Sequence, residues 1–210
     1  MEQGSKEWLQ ARCGVITASR IADLMATNKS GFSTSRANYA AQLVAERMTG
    51  NIVESFSNAA MEWGTATEPA ARIAYEWFRD VSVVEVGLVP HPTIERSGAS
   101  PDGLVGDLGL VEIKCPGNTA THIGYLLDGK VPPKYQPQMA WQLSCTGRQW
   151  CDFVSFDPRM GHEDQFFCVR YEPPKIYIGE LELAVRQFDR EIEETIQKVI
   201  ARRTRHLEAA

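Results

Sequence analysis

The sequence predicts an α/β fold in which helices flank a mixed five-stranded sheet. Three observations carry that prediction. Segments with the period of amphipathic helices fill the first 79 residues, β-rich segments dominate the middle of the chain, and a long amphipathic helix closes it. The 210 residues, 43% of them hydrophobic, are enough for one α/β domain with a substantial core, which we expect to span 1–210.

Helices are predicted throughout the amino-terminal part, and their boundaries follow from capping residues. Gly14 and Gly50 are typical C-terminal stops, whereas Ser, Thr and Asn favour N-caps. The predicted helices cover 8–12, 17–26 with a cap at Thr17-Ala-Ser19, 35–48, and a segment capped by Ser57-Asn58 that runs to about 79. Pro69 lies inside the last of these helices and is expected to kink it next to Glu68.

Strands are predicted where the apolar period changes from helical to alternating. They cover 81–89, 99–106, 108–115, 150–156 and 165–171, with a turn at 106–109 and a helix over 136–144 between the third and fourth. The final helix covers about 178–205 and carries an apolar stripe along one face. This order gives the five strands of the predicted sheet.

Composition limits the classes of protein that need be considered. The net charge of −5, from 22 basic and 27 acidic side chains, gives no general support to nucleic-acid binding, although metal-binding carboxylates would add negative charge to a nuclease. The five cysteines include no close CxxC pair, which favours reduced, packed thiols over disulfides or a zinc site. No apolar run approaches the roughly 20 residues of a membrane span, so we expect a cytosolic protein.

One group of residues carries a specific chemistry. Side chains alternate along a strand, so Glu112 and Lys114 point to one face and Ile113 to the other. If the segment that bears Asp102 pairs with this strand, Asp102 and Glu112 can share a divalent cation with the Ile113 carbonyl, an oxygen set suited to Mg²⁺ or Mn²⁺. Two ordinary interpretations compete: Ser100-Pro101-Asp102-Gly103 as a simple turn, and Glu112 with Lys114 as a solvated ion pair.

The combination resembles a known family. Ser100-Pro101-Asp102-Gly103 followed by Glu112-Ile113-Lys114-Cys115-Pro116 resembles the core motif of the PD-(D/E)xK nucleases, and in particular of the lambda exonuclease and YqaJ branch of viral recombination nucleases. Further segments match that branch: Trp8 to Ser19, Glu62 to Glu68, Tyr135-Gln136-Pro137-Gln138 and Phe156 to Met160. The resemblance extends over nearly the whole chain and implies a restriction-endonuclease-like core.

The resemblance also implies roles for individual residues. Asp102 and Glu112 match the metal ligands, Lys114 matches the catalytic lysine, and Glu68 matches an acid that helps to hold the metal or its waters. Gln138 matches an active-site glutamine that orients phosphate or water. Residues matching the 5′-phosphate pocket are Arg12, Ser19 and, less closely, Ser100. Many related nucleases carry Tyr four residues after the glutamine, whereas position 142 here is Gln.

Each of these roles has an ordinary structural alternative. Glu68 and Gln138 are also the kind of polar residue found on helix surfaces. Arg12 would pair with a nearby acid, and Ser19 would serve only as a helix cap. The residues alone do not decide between these alternatives and the roles that the family implies.

The family further implies a function and partners. The chain would be a Mg²⁺-dependent exonuclease, with Mn²⁺ as a substitute, that degrades one strand of duplex DNA in the 5′→3′ direction from 5′-phosphorylated ends. It would form a ring-shaped homotrimer and work with a single-strand annealing protein of a phage or prophage in the bacterial cytoplasm. The alternatives are a RecB-like or iron–sulphur nuclease, with a cluster held by Cys13, Cys145, Cys151 and Cys168, and a non-catalytic module that binds DNA ends.

Overall fold

The computed structural model describes residues 1–28, 31–53 and 59–208, with side chains as far as Arg205. The helices are α1 (Lys6–Ala11), α2 (Ile21–Met25), α3 (Thr34–Thr49), α4 (Ala59–Arg79), α5 (Thr119–Asp128), α6 (Gln136–Thr146) and α7 (Lys175–Glu208), with 3-10 turns at Ala18–Arg20 and Pro133–Tyr135. The strands are β1 (Ile16–Thr17), β2 (Thr27–Asn28), β3 (Gly31–Phe32), β4 (Val83–Val84), β5 (Val89–Pro90), β6 (Ser97–Ala99), β7 (Gly103–Val105), β8 (Gly109–Lys114), β9 (Trp150–Phe156) and β10 (Phe166–Tyr171).

The central sheet has five strands in the order β10-β9-β8-β7-β4. β8 and β9 run parallel, and the other neighbouring pairs are antiparallel. The predicted mixed five-stranded sheet is therefore confirmed. β1, β6 and β5 form a smaller sheet, and β2 pairs with β3 in a hairpin.

The two faces of the central sheet are covered by different helices, as the alternation along β8 requires. Val111 and Ile113 pack with Ala71 and Tyr75 of α4 on one face. Leu110 points to the other face, where it packs with residues of α5, α6 and the loop between them: Tyr125, Val131, Met139 and Leu143. Glu112 shares the face of Leu110, so the strand directs its carboxylate toward α6.

A third apolar cluster joins the small sheet and α6 to α2, α3 and α7. Its fully buried side chains include Ile16, Tyr39, Trp141 and Phe188. The apolar stripe of α7 supplies several of the others, namely Leu181, Val185, Ile192 and Ile196. This cluster fixes α6 from the side opposite the sheet and thereby holds in place the helix that faces Glu112.

The predicted strand over 81–89 is divided between two sheets. Its first part forms β4 at the edge of the central sheet, and its last part forms β5 in the small sheet. The amino terminus crosses the break between them: a Cβ added at Gly87 would lie 2.7 Å from the Met1 carbonyl oxygen, and Gln3 donates to the Val86 carbonyl at 2.9 Å. This long-range contact interrupts the strand. No local sequence pattern predicts it.

Two helical predictions need correction. The segment predicted to start with a Thr17 or Ser19 cap begins as a 3-10 turn without a side-chain cap, and α2 starts only at Ile21. α5 was not predicted, although Asn118 caps it through its side chain and Gly129 ends it in the left-handed conformation. The proposed cap Ser57-Asn58 lies outside the described residues.

Most other predicted elements agree with the observed ones to within a few residues, and α4 continues through Pro69. None of the helices in the described ranges has the length and hydrophobicity needed to cross a lipid bilayer.

Candidate active site

The antiparallel pairing of β7 and β8 brings the predicted site residues together. Gly103 lies opposite Val111 in this pair, so the preceding residue, Asp102, lies next to Glu112. The prediction placed Asp102 inside a strand, whereas it stands just before β7 and accepts a 2.6 Å hydrogen bond from the Ile113 N–H. Because the N–H and C=O of one residue in an extended strand point to the same side, the Ile113 carbonyl is directed to the side of Asp102.

Glu112 is held at both carboxylate oxygens. Its Oε1 accepts from the Lys114 ammonium and, at 2.6 Å, from Gln138 Nε2. Its Oε2 accepts from Gln142 Nε2 at 2.5 Å. Glu112 is 0% exposed, which rules out the interpretation of Glu112 and Lys114 as a solvated ion pair. Lys114 also lies 5.3 Å from the centre of the Tyr135 ring.

Burial and neighbouring charges raise the pKa values of both Asp102 and Lys114, but they combine differently at the two groups. Burial, and then the negative charge of Glu112, raises the pKa of Asp102 well above its usual range. Burial alone would lower the pKa of Lys114, but the charges of Glu112 and Asp102 outweigh it and raise that pKa above its usual value. Lys114 therefore remains an ammonium group, and the cluster is a pair of carboxyl groups with one fixed positive charge.

Glu68 reaches the same site from α4. It lines a cleft together with Ile113 and Lys114 and forms a 2.9 Å ion pair with Arg72. Burial raises the pKa of Glu68, although the Arg72 charge opposes this shift. Its partly buried position beside the cleft distinguishes it from an ordinary residue on a helix surface.

The cleft has a volume of about 1000 Å³ and is open to solvent along one side of the site. Its wall includes Tyr135 and Trp63, and the Arg159 guanidinium lies 4.6 Å from the Trp63 ring. Arg159 also donates to Asp157 at 2.7 Å and to the carbonyls of Pro116 and Gly117 at 2.8 Å. The segment from Phe156 to Met160, noted in the sequence without a role, thus fixes the loop that follows β8.

A second, smaller cleft of about 340 Å³ contains two of the predicted phosphate-binding residues, Arg12 and Ser19. The Arg12 guanidinium lies 4.1 Å from the centre of the Trp8 ring, and burial lowers its pKa. In the part of the chain that the structure describes, no carboxylate lies within ion-pair distance of Arg12, so the alternative of a simple ion pair has no support there.

The remaining predicted phosphate residue is connected to this cleft through Trp8. The Trp8 indole N–H donates to Ser100 Oγ at 3.0 Å. Ser19 is exposed and makes no helix-capping bond, which removes the alternative that it serves only as a cap. Because Met61 of α4 lines both clefts, the phosphate residues and the carboxylate cluster border adjoining spaces.

The ligand atoms available at the site determine which metal ions it could bind. Among the described residues, no group of three or more His, Cys, Asp or Glu side chains is arranged to hold a metal ion. Two carboxylates and a backbone carbonyl nevertheless suit Mg²⁺, which usually binds one or two carboxylates and retains several waters. The residues present therefore fit a cation with few protein ligands.

The cysteines do not fit an iron–sulphur cluster. Cys145, Cys151 and Cys168 pack in or against three different apolar clusters, and all five cysteines of the chain are free thiols. A cluster needs thiolates that converge on one point. The iron–sulphur alternative is therefore contradicted.

Residues beyond those predicted also contribute to the site. Gln142 donates to the Glu112 carboxylate, and Tyr135 lies beside Lys114. Arg159 donates to the loop that follows β8. Two of them lie within motifs that the sequence already indicated. The position of Gln142 four residues after Gln138 on a helix was the signal for the third.

The chain is similar to known proteins in sequence and in fold. Residues 7–149 match the model of the YqaJ-like viral recombinase domain. The alkaline exonuclease LHK-Exo from Laribacter hongkongensis is 48% identical, with 96% of this chain and 99% of that chain covered and a TM-score of 0.88. Its complex with dAMP gives 49% identity, the same coverage and a TM-score of 0.89.

Two more distant matches add less. A phage-related exonuclease from Haemophilus somnus 129PT is 12% identical, with 88% of this chain and 96% of that chain covered and a TM-score of 0.69, and shows the fold alone. An uncharacterized protein, R354, from Acanthamoeba polyphaga mimivirus is 28% identical over 165 residues, which cover 73% of this chain but only 29% of that relative. The family match over 7–149 and the 48% identity to LHK-Exo together show that the chain belongs to the family of YqaJ-like viral recombinase domains.

Proposed function

We propose that the chain is a Mg²⁺-dependent exonuclease that degrades one strand of duplex DNA in the 5′→3′ direction from a 5′-phosphorylated end. The 3′ overhang left behind would serve recombination by single-strand annealing. The observation that carries the proposal is the meeting of Asp102, Glu112 and Lys114 beside a large open cleft. The 48% identity to a protein described as an alkaline exonuclease supports the same chemistry, and the dAMP complex of that relative supports a nucleotide ligand.

The proposed cation site consists of the carboxylates of Asp102 and Glu112 and the carbonyl of Ile113, with Glu68 holding water at its edge. When bound, Mg²⁺ would make a coordinated water more acidic and offset negative charge on the scissile phosphate; Mn²⁺ would substitute for it. Lys114 stays charged, so its role would be to orient the attacking water and stabilise charge on the phosphate rather than to accept a proton. Gln138, which is partly exposed and bonded to Glu112, would orient the scissile phosphate or the attacking water.

Arg12, Ser19 and Ser100 would bind the 5′-terminal phosphate. A guanidinium binds phosphate through paired hydrogen bonds, and Arg12 contacts an aromatic ring instead of a carboxylate. A phosphate in the smaller cleft would pair with a partly buried positive charge, which would give the enzyme a reason to prefer phosphorylated ends. The shared Met61 wall would let one strand extend from this pocket to the carboxylate cluster.

Assembly and partners are proposed from the family alone. A ring-shaped homotrimer around the duplex would retain DNA in spite of the net charge of −5, because encirclement does not depend on electrostatic attraction. We also propose a single-strand annealing protein as partner, and action in the cytoplasm of a bacterial host that carries the phage or prophage. The assignment of 1–210 as one nuclease domain stays a prediction.

One experiment tests activity and polarity together. A linear duplex, phosphorylated at both 5′ ends, is labelled on one strand at either its 5′ or its 3′ end and digested with Mg²⁺. The 5′ label should appear at once as a mononucleotide, whereas the 3′ label should remain on long fragments until late. Digestion should stop with EDTA. The reverse order of release would contradict the polarity, and binding without digestion would favour the non-catalytic end-binding module.

A further inference from the structure

We infer that Gln142 is a positioning residue for Glu112, fixing the orientation in which that carboxylate meets a divalent cation. This inference rests on the proposed function, since it concerns the same site. Gln142 does not line the cleft, and its side-chain amide nitrogen donates to Glu112 Oε2 at 2.5 Å.

The geometry supplies one amide for each oxygen of the carboxylate. Gln138 and Gln142 stand four residues apart on α6 and therefore project from the same face of the helix. The first donates to Oε1 at 2.6 Å and the second to Oε2 at 2.5 Å. A carboxylate bonded at both oxygens cannot rotate about its terminal bond without breaking a contact.

The distribution of donors differs between the two oxygens. Oε1 receives both the Lys114 ammonium and Gln138, whereas Oε2 receives only Gln142 among the described contacts. A carboxylate oxygen has two lone pairs. The arrangement therefore leaves a lone pair of Oε2 as the first available position for a cation, and Gln142 sets the direction of that lone pair.

Gln142 is itself held in one orientation. It is 0% exposed, and its carbonyl oxygen lies 3.9 Å from the Cys151 thiol, which leaves the amide nitrogen turned toward Glu112. A buried amide without partners is costly, so a glutamine packed between apolar neighbours needs such a contact. Gln138, in contrast, is partly exposed, so it can leave Glu112 for a substrate while Gln142 stays.

Cation binding without DNA tests this inference independently of cleavage. Gln142→Met keeps the volume but removes the donor, and Gln142→Asn keeps the amide but shortens its reach. Gln136→Met is the matched control, because Gln136 lies on the same helix but donates to the Val131 carbonyl at 3.2 Å. Free Mn²⁺ is measured by electron paramagnetic resonance during titration of each variant, below its own unfolding temperature.

Both Gln142 variants should bind Mn²⁺ about 10- to 100-fold more weakly, the usual effect of losing a group that orients a metal ligand, while the control binds like the wild type. In cleavage assays, kcat of the Gln142 variants should rise back toward the wild-type value as the Mg²⁺ concentration is increased. A purely structural role would lower kcat at every Mg²⁺ concentration.

Wild-type affinity in either folded Gln142 variant, or a loss of kcat that high Mg²⁺ does not restore, would overturn the inference. The Asn variant, which removes a single methylene, tests the same contact if the Met variant fails to fold. The proposed function fails separately, if the wild-type protein itself binds no Mn²⁺.

Discussion

The carboxylate cluster and the Arg12 cleft differ in how many partners the protein itself provides for their charged side chains. Glu112 receives three donors from the chain itself and is completely buried. Arg12 is partly buried, lies over the Trp8 ring and forms no ion pair among the described residues; burial lowers its pKa, and the nearby Tyr39 and Glu46 oppose that shift. The first region is built in advance around its charged groups, whereas the second leaves a positive charge to be neutralised by something that binds.

This difference indicates separate tasks. A cluster that orients a carboxylate before anything binds suits chemistry that requires fixed geometry. A partly buried cation that forms no ion pair with the described residues suits recognition, because a ligand can supply the paired charge. We therefore expect changes in the cluster to affect turnover, and changes in the cleft to affect the choice of DNA end.

The largest effect is expected from the two carboxylates. Asp102→Asn and Glu112→Gln each remove a charge with little change of shape and should lower the cleavage rate by on the order of 10³-fold or more, since several kcal/mol of charge stabilisation are lost. The rate of nucleotide release from a linear duplex measures this, with circular dichroism as the check on folding. A folded variant that retains a tenth of the activity would break the distinction between the two regions.

Lys114 is expected to show the next largest effect. Lys114→Met should lower kcat by about 10²- to 10³-fold, as the loss of a group that stabilises developing charge does. Mn²⁺ binding should persist, because the lysine is not a ligand. Lys134→Met is the matched control: Lys134 lies 4.7 Å from the same Tyr135 ring but is exposed, and the ion pair of Glu112 is with Lys114. Equal losses in both variants would point to the ring rather than to the catalytic charge.

Arg12 should change the choice of end rather than the chemistry. Arg12→Ala should slow digestion of 5′-phosphorylated duplex by about 10- to 100-fold, the worth of charge-assisted hydrogen bonds, and leave 5′-hydroxyl ends unaffected. Arg20→Ala is the control for Arg12→Ala. Arg20 lines the same cleft but is already bonded to Asp23 at 2.6 Å. Equal digestion of both kinds of end by the wild-type protein would contradict the phosphate pocket.

Glu68 is expected to show the smallest effect of the four. Glu68→Gln should lower the rate about 10-fold, since its proposed role is to hold water at the edge of the cation site. Glu85→Gln is a close control, because Glu85 pairs with the same arginine, Arg72, at 2.5 Å but does not line the cleft. If both variants lose activity alike, the effect comes from Arg72 and not from the site.

The sequence predicts the fold best where local pattern and tertiary contact agree. The alternation along β8 correctly separates Ile113 from Glu112, and the apolar stripe of α7 correctly gives its buried face. The predicted strand over 81–89 is wrong as a continuous element, because the amino terminus approaches Gly87 from far along the chain. Such a long-range contact produces no periodic pattern in the sequence.

The sequence predicted which charged residues form the site, but it did not predict how their side chains are oriented. Asp102, Glu112 and Lys114 are brought together as expected, yet the roles assigned to them and to Glu68 remain predictions. Gln138 was expected to face phosphate or water, and the structure bonds it to Glu112. The spacing of Gln138 and Gln142 places both on one helix face, but the contact of Gln142 with Glu112 also depends on how α6 packs against β8, which the sequence does not give.

A manganese-soaked crystal measured at a wavelength where Mn²⁺ scatters anomalously tests the central claim most directly. We expect an anomalous peak in contact with the carboxylates of Asp102 and Glu112 and the carbonyl of Ile113, at the distances of about 2.0–2.2 Å found for small divalent ions bound to oxygen. Manganese bound elsewhere on the protein, with the space between these two carboxylates empty, would contradict the account.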